Sequence, residues 1–408
     1  MDPLIQIGSS EYIYRLNKKT ILNLIRQEGQ ISRADIVKKT GISASTVTRI
    51  VDSLINEDGL AEQVGTGQSS GGRRPILVRF KGVNSYVIGV DWGRTHIYAV
   101  LSNLEGEHIL ETDLKTESDS EFESDLNKLV KVLGDLIDKS KVNKKKILGV
   151  GVAAAGYLNK DSGLIEFSAN FNWRDVDVKT PLEERIGIPV IIDNVSRVMA
   201  LGELYYGEGH KYLNSLFVNV GYGIGAGLIL EGKPYYGTSG LTGEMGHNIV
   251  DPKSKVQCKC GRYGCLETIS SGRGIARQAK EYISKNPNCT LAKIISDSKD
   301  KISAKIIIEA ANQGDEGATA IIKKAGFILG QSIARMINLM NPDAVFLGGG
   351  VVLAGDMFIN AIKQGAEEFT IPEAFKYCKI LTATNGADAA VLGAISLILN
   401  EVLELNDL

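Results

Sequence analysis

The sequence predicts an α/β fold arranged as two lobes, preceded by a small helical module. Three observations support this prediction. Short apolar runs typical of buried strands recur through the body, at residues 86–91, 147–155, 190–193 and 216–220. Segments with helical spacing of apolar residues lie between these runs, so that strands and helices alternate as they do in α/β proteins. The first 60 residues contain three short segments with helical spacing instead.

Length and charge indicate a protein of several domains whose N-terminal part can contact nucleic acid. The chain has 408 residues, enough for two or three domains, and a net charge of −2. Residues 1–80 hold 11 Lys and Arg against 8 Asp and Glu, net +3, so contact with nucleic acid is expected there. The chain starts without a basic segment followed by an apolar core, and no apolar run reaches the roughly 20 residues that span a bilayer. We therefore expect a cytoplasmic protein with no membrane partner.

The N-terminal module, residues 1–80, is predicted to be a winged helix-turn-helix domain. A first helix begins at Asn17 and ends at Gly29, a second spans residues 33–39, and a third begins at Ser43. The third helix of such a domain presents its first turns to base edges in the major groove of DNA. The candidate DNA contacts in the two later helices are small polar, basic and small apolar residues: Ser32, Arg33, Ser43, Ala44, Ser45, Thr46, Thr48 and Arg49.

The wing and linker are predicted over residues 60–80. Residues 60–64 and 76–80 alternate as short strands, and a glycine-rich loop between them carries Arg73 and Arg74. Guanidinium groups on such a loop can contact the DNA backbone or enter a narrow minor groove. The alternatives are an idle linker and a three-helix module that only packs. The arginine-bearing wing beside the helix-turn-helix favours DNA binding.

A cluster of metal-binding residue types lies in the second half of the chain. His247, Cys258, Cys260 and Cys265 include three of the five cysteines and one of the four histidines. A Cys₃His set fills the four tetrahedral positions of Zn²⁺ and leaves none for an activated water. We predict one structural Zn²⁺ per chain. The alternative, a disulfide with spare thiols, is disfavoured because Cys258 and Cys260 are too close for easy bridging and nothing indicates secretion.

Glycine-rich corners follow two predicted strands, at residues 221–227 and 347–351. Backbone amides in such loops can bind phosphate. The same composition also serves in tight turns of a packed sheet, so the loops alone leave both interpretations open.

Five segments together resemble the ROK family of bacterial sugar kinases and sugar-responsive repressors, within the actin-like ATPase superfamily. With the winged module in front, the chain resembles the xylose-repressor branch most. The resemblance covers nearly the whole chain and implies a kinase-like body with a first lobe at 81–195, a second lobe with the metal and sugar sites at 196–388, and a C-terminal helix, 389–408, that packs back on the first lobe. The five segments are Asp91-Trp-Gly-Arg-Thr95, Gly223-Ile-Gly-Ala-Gly227, Glu244-Met-Gly-His247, the Cys258-Cys260-Cys265-Glu267 cluster and Leu347-Gly-Gly-Gly-Val351.

The resemblance also implies a pocket for a monosaccharide. Carboxylates and amides on rigid elements suit sugar hydroxyls, which both donate and accept hydrogen bonds. Glu267 as a helix cap, Asn194 in a turn and Trp173 in the core are the structural alternatives. His247 can bind metal through one ring nitrogen and a hydroxyl through the other. The implied sugar-binding residues are Gly156, Asn170, Asn194, Glu244, His247 and Glu267.

The sequence departs from the kinases of this family at three positions. Val195 stands where they carry the Asp that takes the proton from the sugar hydroxyl, and Asp193, two residues earlier, would need a shifted backbone. Arg94 replaces a glycine of the first phosphate loop, and Tyr222 replaces a small residue of the second. The changes predict a protein that is not an enzyme, keeps its sugar pocket and binds no ATP.

The resulting hypothesis is a homodimeric transcription repressor that binds a palindromic operator and a monosaccharide effector. In the family, the lost Asp faces the primary hydroxyl of a hexose, so Val195 favours a pentose, and we expect xylose. Glucose or an amino sugar stays open, because an apolar contact rejects an added hydroxyl only weakly. Two other hypotheses are an ATP-dependent kinase for glucose or a related hexose with an appended DNA-binding domain, and a zinc-stabilised protein that binds DNA constitutively.

Overall fold

The structure is a computed structural model, which describes residues 10–67, 74–83, 85–116, 121–159, 162–297 and 302–404. Within these ranges, no helix is long and apolar enough to cross a membrane.

The N-terminal module folds as a winged helix-turn-helix, as predicted. Ser43 begins the third helix by accepting a hydrogen bond from the Thr46 backbone N–H at 3.3 Å, and Gly41 ends the second in the left-handed conformation, φ 71°. The strands form an antiparallel sheet in the order β1-β3-β2. The elements are α1 (Ser10–Glu28), β1 (Ile31–Ser32), α2 (Arg33–Thr40), α3 (Ala44–Asn56), β2 (Ala61–Thr66) and β3 (Ile76–Phe80).

The first helix is longer than the sequence indicates. It extends back at least to Ser10, whereas the apolar periodicity begins near Asn17. The added turns carry Ile13 and Leu16, which are exposed, so burial of an apolar stripe does not mark this part of the helix.

The first α/β unit is built on a five-stranded sheet in the order β11-β7-β4-β5-β6. β4 pairs antiparallel with β5, as predicted, and parallel with β7, and β7 pairs parallel with β11. A three-stranded sheet, β10-β9-β8, lies between β7 and β11 in the sequence. The elements are β4 (Tyr86–Trp92), β5 (His96–Asn103), β6 (His108–Lys115), α4 (Phe122–Ser140), β7 (Ile147–Ala154), β8 (Tyr157–Asn159), β9 (Leu164–Ser168), β10 (Trp173–Asp177), α5 (Lys179–Ile186) and β11 (Val190–Asn194).

The second α/β unit has a five-stranded sheet in the order β14-β13-β12-β15-β16. β12, β15 and β16 are parallel, and the long helix α11 packs on α12 to cover the core. The elements are α6 (Val195–Tyr206), β12 (Ser215–Val220), β13 (Ile224–Leu230), β14 (Lys233–Tyr235), α7 (Glu267–Ser270), α8 (Gly272–Lys285), α9 (Thr290–Asp297), α10 (Ala304–Asn312), α11 (Glu316–Met340), β15 (Ala344–Gly348), α12 (Asp356–Phe369), α13 (Pro372–Tyr377), β16 (Lys379–Thr382) and α14 (Ala389–Glu404).

The C-terminal helix α14 packs against β4 and β7 of the first sheet and against α6. Its contact with β7 is close enough to need glycine, because a methyl group on Gly151 would lie 1.9 Å from the carbonyl oxygen of Ala394. The helix also reaches the winged module: Val391 and Ile395 share one hydrophobic core with Ile21 and Ile25 of α1. The first and last helices of the described chain are therefore packed into a single core.

We expect Gly151→Ala to lower the free energy of unfolding by about 1–3 kcal/mol, because the added methyl must displace the α14 backbone. Urea denaturation followed by circular dichroism measures this. Gly134→Ala in α4 is the matched control. No atom lies within 4 Å of its added methyl, and alanine favours helix, so a gain of about 1 kcal/mol is expected. A Gly151→Ala protein as stable as the parent would contradict the close packing of α14.

Candidate functional site

Four metal-ligand side chains converge on one point. The ligand atoms of His247, Cys258, Cys260 and Cys265 all lie within 4.8 Å of one another. Cys258 Sγ lies 3.6 Å from His247 Nδ1, and Cys260 Sγ lies 3.7 Å from Cys265 Sγ. All five cysteines of the chain are free thiols, so the disulfide alternative is not supported.

The spacing of these atoms fits a tetrahedral metal ion. Zn–S and Zn–N bonds of about 2.3 Å and 2.0 Å at tetrahedral angles place two sulfurs about 3.8 Å apart and a sulfur and a nitrogen about 3.5 Å apart. Backbone bridges between Ile249 and Cys265 and between Gln257 and Tyr263 hold the loops in this arrangement. The cluster could therefore hold a metal ion.

Burial and hydrogen bonds shift the pKa values of the cluster's side chains. Burial lowers the pKa of His247, which favours the neutral imidazole that a metal needs. Burial also raises the pKa of Cys258. For Cys260, burial acts in the same direction, but hydrogen bonds from Arg262 and the neighbouring thiols outweigh it and lower the pKa.

His247 connects the cluster to a polar pocket. Its Nδ1 faces the thiols, while its Nε2 lies 3.8 Å from Glu244 Oε2. Burial raises the pKa of Glu244 to about 7, with Arg197 opposing and Glu267 reinforcing the shift. The Tyr157 ring stands edge-on to the imidazole, with 6.4 Å between ring centroids. The two ring nitrogens thus face different groups, the thiols on one side and Glu244 on the other.

Glu267 lies on the other side of the cluster and contacts it directly. Its Oε1 is 3.5 Å from Cys258 Sγ and 2.5 Å from Arg273 Nη2. Its Oε2 accepts a weak hydrogen bond from the backbone N–H of Ile224, at 3.4 Å, in the first glycine-rich corner. Glu267 is also the first residue of α7, so a structural role exists beside any contact with a ligand.

Asn194 and Gly156 meet at the start of α6. Asn194 Nδ2 donates to the carbonyl oxygen of Gly156 at 2.9 Å, and its Oδ1 accepts from the Ser196 backbone N–H, also at 2.9 Å. The structural alternative predicted for Asn194 is a turn, whereas in the structure Asn194 is the N-cap of α6.

Asn170 lies in a turn beside the metal cluster. The residue before it, Ala169, accepts a hydrogen bond from Lys259 Nζ at 2.7 Å, and Lys259 stands between two of the cluster cysteines. Trp173 is buried and stacks on Phe171 at 4.3 Å, which agrees with the predicted core position. Of the residues proposed for the sugar pocket, Glu244 and Glu267 contact the cluster, whereas Asn194 and Gly156 contact each other at the start of α6.

Some of the predicted DNA-contacting side chains are exposed, and others are held in contacts within the winged domain. Ser43, Ala44, Ser45, Thr48 and Arg49 are exposed, and Thr46 is half-buried. A groove of about 640 Å³ runs along this face of α3.

The other predicted DNA-contacting residues are Ser32, Arg33, Arg73 and Arg74, and two of them already have partners within the protein. Ser32 is 1% exposed and caps α2 by accepting a hydrogen bond from the Asp35 backbone N–H at 3.1 Å. Its hydroxyl also donates to the Asp35 carboxylate at 2.6 Å. Arg33 pairs with Asp52 at 2.6 Å. Arg74 is exposed, and Arg73 lies outside the described residues.

Comparisons with known proteins agree with this architecture. The ROK family profile matches residues 87–401, and a winged helix-turn-helix DNA-binding profile matches residues 15–58. This chain belongs to the ROK family.

Relatives of this ROK protein include both regulators and enzymes. The xylose repressor of Caldicellulosiruptor bescii is 32% identical over 97% of this chain and 98% of its own length. The glucokinase of Halalkalibacterium halodurans is 33% identical over 76% of this chain and 93% of its own length. A solved ROK transcriptional regulator, a homologue of the Escherichia coli MLC protein, superposes with a TM-score of 0.82 at 26% identity, over 97% of this chain and 98% of that one. The regulators thus match the whole chain and the glucokinase only its body.

Sequence reasoning missed one residue of this ROK site. Arg197, in the first turn of α6, is buried and donates to Asp193 Oδ1 at 2.9 Å from Nε and to the Gly240 carbonyl oxygen at 2.5 Å from Nη1. Asp193 is wholly buried. The i, i+4 spacing of Asp193 and Arg197 across the start of a helix was the available signal.

Side chains in the two segments that the family's kinases use to bind phosphate make further contacts. Arg94 Nη1 donates to the Tyr222 hydroxyl at 3.0 Å. His96 lies 3.4 Å from Asp91, which raises the pKa of the imidazole. The first phosphate-loop segment, residues 91–96, and the second, residues 221–227, are therefore joined by the hydrogen bond between Arg94 and Tyr222.

We expect Cys260→Ser to reduce the metal bound per chain at least tenfold after dialysis against a mild chelator, because a hydroxyl is a much weaker ligand than a thiolate. Plasma mass spectrometry measures the metal content. Cys289→Ser, outside the cluster, is the matched control and should keep full occupancy. Equal metal content in both variants would show that the cluster is not the binding site.

Proposed function

We propose that this protein is a transcription repressor whose winged helix-turn-helix binds operator DNA and whose body binds a monosaccharide effector. The observation that supports this proposal most is an exposed recognition surface at the start of α3 on a chain whose body holds Asp193, the carboxylate nearest the kinase base position, buried and paired with Arg197. The full-length similarity to a xylose repressor supports the same function.

The absence of sugar kinase activity is part of this proposal. Val195 occupies the position of the catalytic Asp by comparison with the family's kinases, and its side chain cannot accept a proton. The neighbouring carboxylate, Asp193, is wholly buried and paired with Arg197. A buried carboxylate held by a guanidinium cannot reach a sugar hydroxyl. The contact between Arg94 and Tyr222 opposes ATP binding, because it places two bulky, hydrogen-bonded side chains where the family's kinases have small residues.

We assign a structural Zn²⁺ to the Cys₃His cluster, one per chain. The three thiolates and neutral imidazole are the donor set that zinc prefers, and all four positions are taken by protein atoms. When bound, the ion would fix His247 and, through the adjacent loop, Glu267. The sugar-contacting carboxylates then stand on a rigid support.

The proposed sugar contacts are Gly156, Asn170, Asn194, Glu244, His247 and Glu267, and the proposed effector is xylose. Val195 is the partly exposed first residue of α6, next to Asn194. An apolar wall at this point suits a pentose, which lacks the primary hydroxyl of a hexose. Glucose and amino sugars are weaker fits on this argument.

The proposed assembly is a homodimer. Two recognition helices on a palindromic operator must lie about 34 Å apart, one turn of DNA. A small rotation of the bodies on sugar binding therefore changes whether both helices dock at once. The proposed DNA contacts are those exposed at the start of α3, together with Arg33, Arg73 and Arg74. Ser32, which the sequence also suggested, is buried as the cap of α2.

We expect xylose to change the operator affinity of the protein by a factor of about 5–150, the range of allosteric couplings, because the sugar binds one arrangement of the lobes more tightly. Fluorescence anisotropy with labelled operator measures this. Glu244→Gln is expected to bind the operator as the parent does, but to lose most of the sugar effect.

Two outcomes would contradict the proposal. An operator affinity that no aldose changes would exclude the sugar-responsive repressor. ATP turnover with an aldose that disappears in Asp193→Asn would instead favour the kinase alternative, which the glucokinase relative raises.

We expect Val195→Asp to shift the preference of the pocket from xylose towards glucose by about 10- to 100-fold, because a carboxylate can accept a hydrogen bond from the primary hydroxyl of a hexose. Calorimetry with both sugars gives the ratio of dissociation constants. Val195→Ile, which keeps the apolar wall, is the control. An unchanged ratio in Val195→Asp would remove the argument for a pentose.

A further inference from the structure

One helix touches both functional ends of the molecule. α6 begins at the pocket, where Asn194 caps it and Ser196 and Arg197 are buried, and it ends at Tyr205 and Tyr206 beside the winged domain. Its 12 residues span about 18 Å at 1.5 Å per residue. Movement at one end of such a short, buried helix is transmitted to the other.

α6 cannot move without α14. A methyl group on Gly393 would lie 2.0 Å from the Val198 carbonyl oxygen, and one on Gly202 would lie 2.8 Å from the Ala389 carbonyl oxygen. The two helices therefore touch backbone to backbone, with no flexible side chains between them to absorb a displacement. Tyr205 adds a hydrogen bond from its hydroxyl to Asn400 Oδ1, at 3.0 Å.

The C-terminal end of α6 contacts one side chain of the winged domain, Arg26. The guanidinium carbon of Arg26, on α1, lies 4.4 Å from the centroid of the Tyr205 ring and 5.7 Å from that of Tyr206. Arg26 Nη2 also donates a long hydrogen bond, 3.4 Å, to the Tyr205 carbonyl oxygen. Both tyrosines therefore contact the DNA-binding domain through one arginine.

Within the part of the chain that the structure describes, the buried guanidinium of Arg26 lacks the carboxylate partner that a buried charge usually has. Among the described residues, Arg26 makes no ion pair, and its Nε is buried without a hydrogen-bond partner. Burial lowers the pKa of Arg26, while the neighbouring tyrosines oppose the shift. The charge is thus stabilised mainly by the faces of two rings, an interaction that weakens beyond about 6 Å. A cavity of about 470 Å³ lies beside it, lined also by Arg79 and His210, so there is room for the two surfaces to move apart.

We propose that Arg26, held between Tyr205 and Tyr206, is the joint through which α6 transmits the state of the sugar pocket to the winged domain. The inference rests on the proposed sugar-responsive repressor and names its coupling residues. Arg26 is a positioning residue: it lies outside the pocket and away from the exposed face of α3. Sugar binding displaces the start of α6, and the tyrosines carry that displacement to α1.

Two variants test the joint. Arg26→Met keeps the aliphatic stem and removes the guanidinium, and Tyr205→Leu removes the nearer ring. Both are expected to bind operator DNA and xylose within about threefold of the parent. The ratio of operator affinities with and without xylose should fall from the parent's about 5- to 150-fold to within about twofold of unity. The double variant should lose no more than either single variant, because both remove one contact.

Tyr206→Phe is the matched control. It keeps the ring, and the Tyr206 hydroxyl it removes is buried without a hydrogen-bond partner, so the full sugar response is expected. A change that arises only from loosened packing would reduce operator and sugar affinities together and leave their coupling in place.

Hydrogen exchange gives a readout that needs no DNA, should a variant lose operator binding. Xylose should alter the protection of α1 amides in the parent and in Tyr206→Phe, but not in Arg26→Met or Tyr205→Leu. A sugar response that persists in both of those variants, by either measurement, overturns the joint. A parent protein that no aldose affects would instead contradict the proposed function itself.

Discussion

The backbone contact between α6 and α14 is the constraint on which the arrangement of the molecule depends. Gly202 and Gly393 bring the helices together without side chains between them, and Gly151 lets α14 rest on β7 in the same way. Contacts of this kind tolerate few intermediate positions, because a packed interior is not continuously deformable. The sheets on either side are therefore placed by the helices that separate them.

The metal cluster and the start of α6 carry the residues of the proposed sugar pocket, and the two groups are held in place by different contacts. His247 and Glu267 are fixed through contacts with Cys258, whereas Asn194 is fixed by hydrogen bonds within the backbone of α6. The pair of Arg197 with Asp193 lies at the start of α6 and is removed from solvent. A carboxylate that serves to neutralise a buried guanidinium is not available for proton transfer.

The sequence predicted most elements because local signals and tertiary packing agree for them. The helix-turn-helix, the β4–β5 pairing and the convergence of His247 with three thiols follow from capping, periodicity and ligand type. Other features depend on partners far along the chain. The burial of Arg197 and the pairing of Arg33 with Asp52 need the folded surroundings to be known. The shared core of α1 and α14 leaves no periodic signal that would name its partner.

The same shared core has a consequence for how the protein is made. Ile21 and Ile25 are synthesised near the beginning of the chain, and their partners Val391 and Ile395 near its end. A domain generally folds as a unit as it leaves the ribosome, N-terminal part first. Here the underside of the winged domain stays uncovered until translation has delivered α14. A truncated translation product therefore exposes this apolar surface, which marks it for chaperones and proteases before it can compete for DNA.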